Sequence, residues 1–337
     1  MGRVLVTGGA GFIGSHFVKG LLGAEDIEEV TVLDALTYAG HRENLGEAML
    51  HPKLTFVHGN ILDTEVVDQL VAEHTAVVHF AAESHVDRSF LEAGGFLATN
   101  VHGTHVLLDA ARRFGVDKFV HVSTDEVYGS WETGAATEND ALRPTVPYAA
   151  SKAASDLVAL SAWHTYGVPV CVTRSSNNFG VRQHPEKIIP MFVTTLLGGG
   201  QVQLHGDGLH SRNWLHVQDN CDGIELVLRD GVPGEIYNLG GGTDLTNRAL
   251  TTLILDVFGA DEDRVTYVDD RPSNDRRYSM NCDKAITRLG YRPHRTLVES
   301  LPEIVAWYRN NPDRWAPQLR DPAAHRPRVT LTAGAHA

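Results

Sequence analysis

Two groups of polar and titratable residues fall close together in the middle of the chain: Thr124, Asp125 and Glu126, then Tyr148 and Lys152. Tyr148 and Lys152 are four residues apart, and Pro147 marks a helix start, so phenol and ammonium share one helix face. A free phenol is a poor base at neutral pH because its reference pKa is near ~10. A cation alongside favours the phenolate, and such a pair can take a proton from a substrate hydroxyl. Asp125 and Glu126, side by side, could supply one acid and one base if their surroundings hold them in different protonation states. Each pattern alone also has an ordinary reading. A tyrosine and a lysine at this spacing are commonly a surface pair, and an Asp-Glu pair after a strand is commonly a cap or a solvated turn.

The elements needed to position these residues can be read on both sides of them. Lys118-Phe119-Val120-His121-Val122 is β-branched and apolar enough for a buried strand of a parallel sheet. That places Thr124, Asp125 and Glu126 past its carboxyl end, where open α/β sheets bind ligands. At the amino terminus Val4-Leu5-Val6-Thr7 reads as another buried strand, turned into a helix by Gly8, Gly11 and Gly14. Glycine there permits a tight turn and close approach of the backbone to a pyrophosphate, and the helix N-terminus faces the phosphates. Asp34 follows twenty residues after Gly14, behind the strand Val30–Leu33. A carboxylate at that distance accepts from a ribose diol and repels a 2′-phosphate, so NAD is favoured over NADP, although Asp34 could also be a helix cap.

Further strand ends lead to Asn60 and Ile61 and to Ala81, Ala82, Glu83 and Ser84. An amphipathic segment from about Asn100 to Phe114 precedes the strand at Lys118. Alternating strands and helices, without repeats or low-complexity linkers, predict a doubly wound parallel sheet. The formal net charge of −13 over 337 residues argues against a nucleic-acid surface. No apolar run is long enough to span a membrane, and the first residues do not read as a signal peptide. Cys171, Cys221 and Cys282 are far apart, which fits free thiols in a reducing cytoplasm. His102 and His105 lack a third ligand at metal spacing and read as surface histidines, so no metal is expected.

Several of these stretches together carry a resemblance. They are Thr7 to Ser15, Ala35 to Gly40 after Asp34, Ala81 to Ser89, Ser123 to Gly129, and the Tyr148/Lys152 pair, in that order. The sequence resembles the extended short-chain dehydrogenase/reductases, and among them the dTDP-glucose 4,6-dehydratases, from residue 3 to about 315. Sugar-nucleotide epimerases of that fold have the tyrosine and lysine but lack the adjacent Asp-Glu. The resemblance implies an internal redox cycle on NAD that yields a dTDP-4-keto-6-deoxyglucose. Tyr148, assisted by Thr124 and Lys152, would serve oxidation at C4. Glu126 would take the C5 proton, and protonated Asp125 would deliver a proton to the departing 6-hydroxyl.

The same resemblance implies cofactor contacts at Gly8, Gly11, Phe12, Ile13, Gly14, Asp34, Ala35, Leu36, Thr37, Asn60, Ile61, Phe80, Ala81, Ala82, Glu83, Thr99, Ser123, Tyr148, Lys152 and Asn178. It implies substrate contacts at Ser84, Thr124, Asn177, Glu186, Lys187, Ile188, Gln203, Leu204, His205, Arg212, Asn247, Arg271, Asp275 and Tyr278. Asn60, His205, Ser273-Asn274 and Val181-Arg182 depart from the usual pattern, all toward the nucleotide end, so the reaction is untouched and the base is less constrained. Asn60 keeps an amide oxygen able to accept from adenine N6. An NAD-binding domain is expected over 1–175, with segments near 213–240 returning to it. A sugar-nucleotide lobe is expected over most of 176–320, and a mobile tail over 321–337. Relatives pair as homodimers through two helices, here Asn100–Phe114 and the helix starting at Tyr148.

Overall fold

The runs of β-branched and apolar residues become strands, and in the computed structural model, which describes residues 2–320, seven of these form one parallel sheet. Among the described residues the strands are β1 (Gly2–Thr7), β2 (Ile27–Asp34), β3 (Leu54–His58), β4 (Ala76–His79), β5 (Lys118–Thr124), β6 (Val170–Ser175), β7 (Asn177–Phe179), β8 (Val202–His205), β9 (Ser211–His216), β10 (Ile236–Leu239), β11 (Thr243–Thr246) and β12 (Val265–Val268). The large sheet runs β10-β6-β5-β4-β1-β2-β3, every pair parallel. From β1 the chain first moves outward to β2 and β3, then crosses to β4 on the other side. The carboxyl ends of β1 and β4 therefore diverge around a crevice, the usual ligand position of such sheets. The doubly wound α/β fold is thus as expected.

Both faces of this sheet are covered, which is why its strands read as continuous apolar runs. Val4, Val6, Val30, Val32, Val78 and Val120 point to one side, against Phe17, Val18 and Leu21 of the helix Phe12–Leu22 and Ile224, Val227 and Leu228 of the helix Val217–Asp230. Leu5, Leu33, Val77, Phe119 and Val170 point to the other, against Val67 and Val71 (Thr64–Ala72), Leu107 and Ala111 (Thr104–Phe114) and Ala159 (Pro147–Tyr166). Each fully buried side chain of this size stabilises by about 1.5–3 kcal/mol. A separate apolar cluster built on Phe179, Phe192, Trp214, Leu250, Ile254, Leu301 and Tyr308 holds the remaining sheets, β11-β9-β7 and β12-β8, with their helices.

Two expectations need correction. The strand containing Trp214 does not return to the large sheet; β9 pairs with β7 and β11, and what returns is the helix Val217–Asp230 and then β10 beside β6. The helix expected to begin near Asn100 is preceded by helical turns from Ala93, and Leu97–Gly103 is wound as a π-helix. Gly94 and Gly95 lower the local helix propensity. The wider turn is braced by contacts distant in sequence. The Asn100 amide accepts from Glu83 N at 2.8 Å and donates to Glu83 O and Ser151 Oγ. Gly103 lies so close to Ile61 that a Cβ would come within 2.5 Å of its Cδ1. The expectation of a mobile tail over 321–337 lies outside the described residues.

Candidate active site

The dinucleotide half begins where β1 ends. Gly8 has φ +73°, and a Cβ there would stand 2.5 Å from Ala81 N; one on Gly14 would stand 2.3 Å from Gly8 O. Glycine at both positions lets β1, β4 and the following helix converge. That helix, Phe12–Leu22, has Gly11 as N-cap, no side chain capping it and no acidic residue in its first turn. Its free N–H groups face the crevice and suit a phosphate anion. Asp34, at the end of β2, accepts from Ala10 N and Leu36 N, each at 2.8 Å. Burial raises its carboxyl despite those two donors. Asp34 thus braces the glycine loop and still presents acceptor positions to the groove. An uncapped helix start with a carboxylate across from it fits a dinucleotide.

The reacting half lies at the end of β5. Thr124 closes the strand, and Asp125–Tyr128 forms a 3-10 turn that Thr124 caps, its Oγ1 accepting from Glu126 N at 3.3 Å. The same hydroxyl donates to Asp125 Oδ1 at 3.2 Å, while Asp125 Oδ2 is buried without a partner. Burial pushes the Asp125 carboxyl up to about 8, with Glu126 adding to the push and Arg212 opposing it. Glu126 is also raised by burial, with Asp275 adding to it, but Arg212, Lys187 and Arg271 hold it back. The neighbours therefore differ: Asp125 keeps its proton near neutrality, and Glu126 faces three cations. Unequal surroundings of this kind favour the division into one acid and one base.

Tyr148 and Lys152 stand in the first turns of the helix Pro147–Tyr166, with proline at its start. Lys152 Nζ donates to Val122 O at 2.8 Å, and burial lowers its ammonium to about 8 against the pull of Asp156. The Tyr148 phenol differs from expectation. Burial raises it, and the charges of Glu126 and Asp125 add to that, opposed by the Thr124 hydroxyl. A lysine four residues away does not offset full burial and two carboxyls. A proton on Asp125 removes one of those opposing charges.

All residues expected to bind cofactor or substrate, except Leu36, line one groove together with Asp125 and Glu126. Leu36 instead takes φ +49° and serves the turn that Asp34 anchors. Asn60 differs in detail, because its amide oxygen accepts from Leu62 N at 2.9 Å and only its second lone pair remains. Asn178 donates to Ser176 O and accepts from Asn220, whereas Asn177 Oδ1 is buried and unpartnered. Arg212 stacks 4.3 Å over Tyr278 and donates to Asn274 Oδ1 at 3.0 Å. Tyr278 and Thr145 both donate to Asp275 Oδ2. Lys187 donates to Ser84 O across the groove.

Sequence reasoning left some lining residues unassigned. Arg271 forms a two-armed ion pair with Asp87, at 3.0 and 3.1 Å, joining the two sides of the mouth. Glu186 Oε2 lies 3.6 Å from both His85 Nε2 and His184 Nδ1. Asp87 and His85 stand inside the quoted Ala81–Ser89 stretch, so their signal was present without a role attached. His184 lies outside every stretch singled out in the sequence.

Comparison with known proteins agrees with this geometry. The family model described as GDP-mannose 4,6 dehydratase matches residues 5–304. The chain is similar to a dTDP-glucose 4,6-dehydratase of Streptomyces antibioticus, 55% identical over 326 residues, covering 95% of this chain and 96% of the relative. It is 51% identical to one from an Actinoplanes species, covering 93% and 99%. Among solved structures, a dTDP-glucose 4,6-dehydratase from Streptomyces venezuelae with NAD bound superposes with TM-score 0.92 at 53% identity, covering 94% and 99%. A UDP-glucuronic acid 4-epimerase from Bacillus cereus, in complex with UDP-glucuronic acid and NAD, superposes with TM-score 0.86 at 25% identity, covering 91% and 99%.

Proposed function

The chain belongs to the GDP-mannose 4,6 dehydratase family, and from that premise we propose that it converts dTDP-glucose to dTDP-4-keto-6-deoxyglucose and water in deoxysugar biosynthesis, with NAD as cofactor. The observation that carries this reading is the pair Asp125 and Glu126, adjacent in sequence yet held in different electrostatic surroundings beside Tyr148. A 4-epimerization has no use for such a pair.

Gly8, Gly11 and Gly14 admit the pyrophosphate to the helix N-terminus, and Asp34 takes the ribose. When bound, NAD supplies the acceptor for the C4 hydride and the donor that returns it to C6. Tyr148 accepts the proton of the sugar 4-hydroxyl as the phenolate, a form favoured when Asp125 is protonated and Lys152 charged, with Thr124 hydrogen-bonding that oxygen. The resulting 4-keto group acidifies C5–H, whose proton Glu126 takes and gives back to C5 once C6 is reduced. Asp125, protonated, gives its proton to the departing 6-hydroxyl, which leaves as water. Arg212 and Arg271 suit the diphosphate, since guanidiniums pair bidentately with phosphates; Arg271 would exchange Asp87 for it.

The assembly we propose is a cytoplasmic homodimer. Phe114, Leu157 and Tyr166 are exposed on the helices expected to pair, Leu97 is exposed just before the first of them, and Cys171, Cys221 and Cys282 are free thiols. Among the described residues no helix is long and apolar enough to cross a membrane. The function is tested by incubating the pure protein separately with dTDP-glucose, UDP-glucose and GDP-mannose, and identifying products by mass and NMR. A 4-keto-6-deoxy product from dTDP-glucose is expected; a C4 epimer, or turnover confined to another nucleotide, would contradict the reading.

A further inference from the structure

Asp156 follows Lys152 by one helical turn, so Tyr148, Lys152 and Asp156 succeed each other at intervals of four on one face of the helix Pro147–Tyr166. Asp156 is completely buried. Its Oδ2 accepts from Arg174 Nε at 2.9 Å, and its Oδ1 lies 3.3 Å from His121 Nε2. Arg174 donates from Nη1 to the Tyr128 hydroxyl at 2.8 Å, which in turn donates to Asn238 Oδ1 at 2.8 Å. Asn238 donates to the carbonyls of Ala136 and Asn281. A row of buried polar groups thus ties the catalytic helix to β5, β6 and β10 beneath the groove.

A plain structural ion pair is a poor explanation for this arrangement. Burying two charges costs so much desolvation that apolar residues of similar volume commonly hold a fold as well. We propose that Asp156 is a positioning residue: fixed by Arg174, it is the counter-charge that keeps Lys152 an ammonium while Tyr148 works. This inference rests on the dehydratase reading given above.

The groups around Lys152 support that role. Its own helix contributes Tyr148 and Asp156, β4 contributes His79 and β5 contributes His121, with Asp125 and Glu126 past the end of β5 and Arg174 of β6 on the far side of Asp156. His79 sits between the hydroxyls of Thr7 and Thr104, at 2.7 and 3.0 Å, and burial keeps it neutral. His121 is also lowered by burial, with Lys152 contributing. Asp125 is held toward its neutral form. Arg174 is occupied by Asp156 and Tyr128. Asp156 is the charge that opposes the effect of burial on Lys152. Without it the ammonium gives up its proton at lower pH.

Asp156→Asn preserves shape and removes the charge. Two readouts test it, with folding checked by circular dichroism and NAD content. The alkaline limb of the kcat profile on dTDP-glucose is expected to move to lower pH by about one unit, a tenfold loss at a fixed alkaline pH, with KM nearly unchanged. Acetylation of Lys152 by acetic anhydride, followed by mass spectrometry across pH, is expected to shift in the same direction without any sugar present. If Asp156→Asn does not fold, the double variant Asp156→Asn/Arg174→Gln leaves neither member of that ion pair unpaired, and a smaller shift in the same direction is expected because losing the Arg174 charge partly offsets losing that of Asp156. An unmoved limb and unmoved Lys152 labelling in a folded variant overturn the proposal. Shifted labelling in a protein that makes no 4-keto-6-deoxy sugar upholds Asp156 and overturns the dehydratase reading instead.

Discussion

A carboxyl that keeps its proton at neutral pH leaves a mark on stability as well as on catalysis. Burial and the adjacent Glu126 raise Asp125 to about 8, far above its unfolded value. Between those two values the folded chain holds a proton that the unfolded chain has lost, so stability falls as pH rises through that window. Asp125→Asn removes the effect. Its unfolding free energy relative to the parent is therefore expected to gain up to about 1.4 kcal/mol per pH unit between roughly pH 5 and 7. Chemical denaturation of both proteins at several pH values measures this, and parallel curves would mean that Asp125 is ionised in the fold. Such a gain accompanied by lost turnover is the usual relation between stability and a strained active site.

At the scale of elements, the junction of β1, β4 and the helix Phe12–Leu22 fixes the cofactor groove. Gly8→Ala adds a Cβ at φ +73° and 2.5 Å from Ala81 N. A cost of roughly 2–4 kcal/mol is expected from strain and overpacking combined, with loss of retained NAD. A normal melting temperature with full NAD content would contradict that account of the junction. This element was legible in the sequence because glycine spacing, strand and acidic residue all lie within one short stretch. The Asp125-Glu126 and Tyr148/Lys152 pairs were legible for the same reason, since strand end and helix period are local. What was hidden depends on contacts remote in sequence. The π-helix at Leu97–Gly103 is braced through Asn100 by Glu83 and Ser151. The strand with Trp214 chose its partners among β7 and β11. Tyr148's raised phenol follows from burial, which spacing alone does not report.

For the whole molecule, the groove lies between two apolar cores, and its mouth is joined by Arg271 and Asp87, 184 residues apart in the chain. Leu157, 61% exposed on the helix that carries Tyr148, belongs to the surface proposed for dimerisation. Sedimentation should show a dimer for the parent and a monomer for Leu157→Glu; a monomeric parent would remove that proposal. The division of labour between oxidation and elimination is the central claim, and it is tested by one experiment in deuterium oxide. Asp125→Asn, folded and loaded with NAD, is incubated with dTDP-glucose while nicotinamide absorbance and deuterium at sugar C5 are followed. The predicted result is reduction of the nicotinamide and deuterium entry at C5 through Tyr148 and Glu126, with little 6-deoxy product. Absence of both reduction and C5 exchange, in a variant that still binds the sugar nucleotide, would contradict the roles assigned to Asp125, Glu126 and Tyr148.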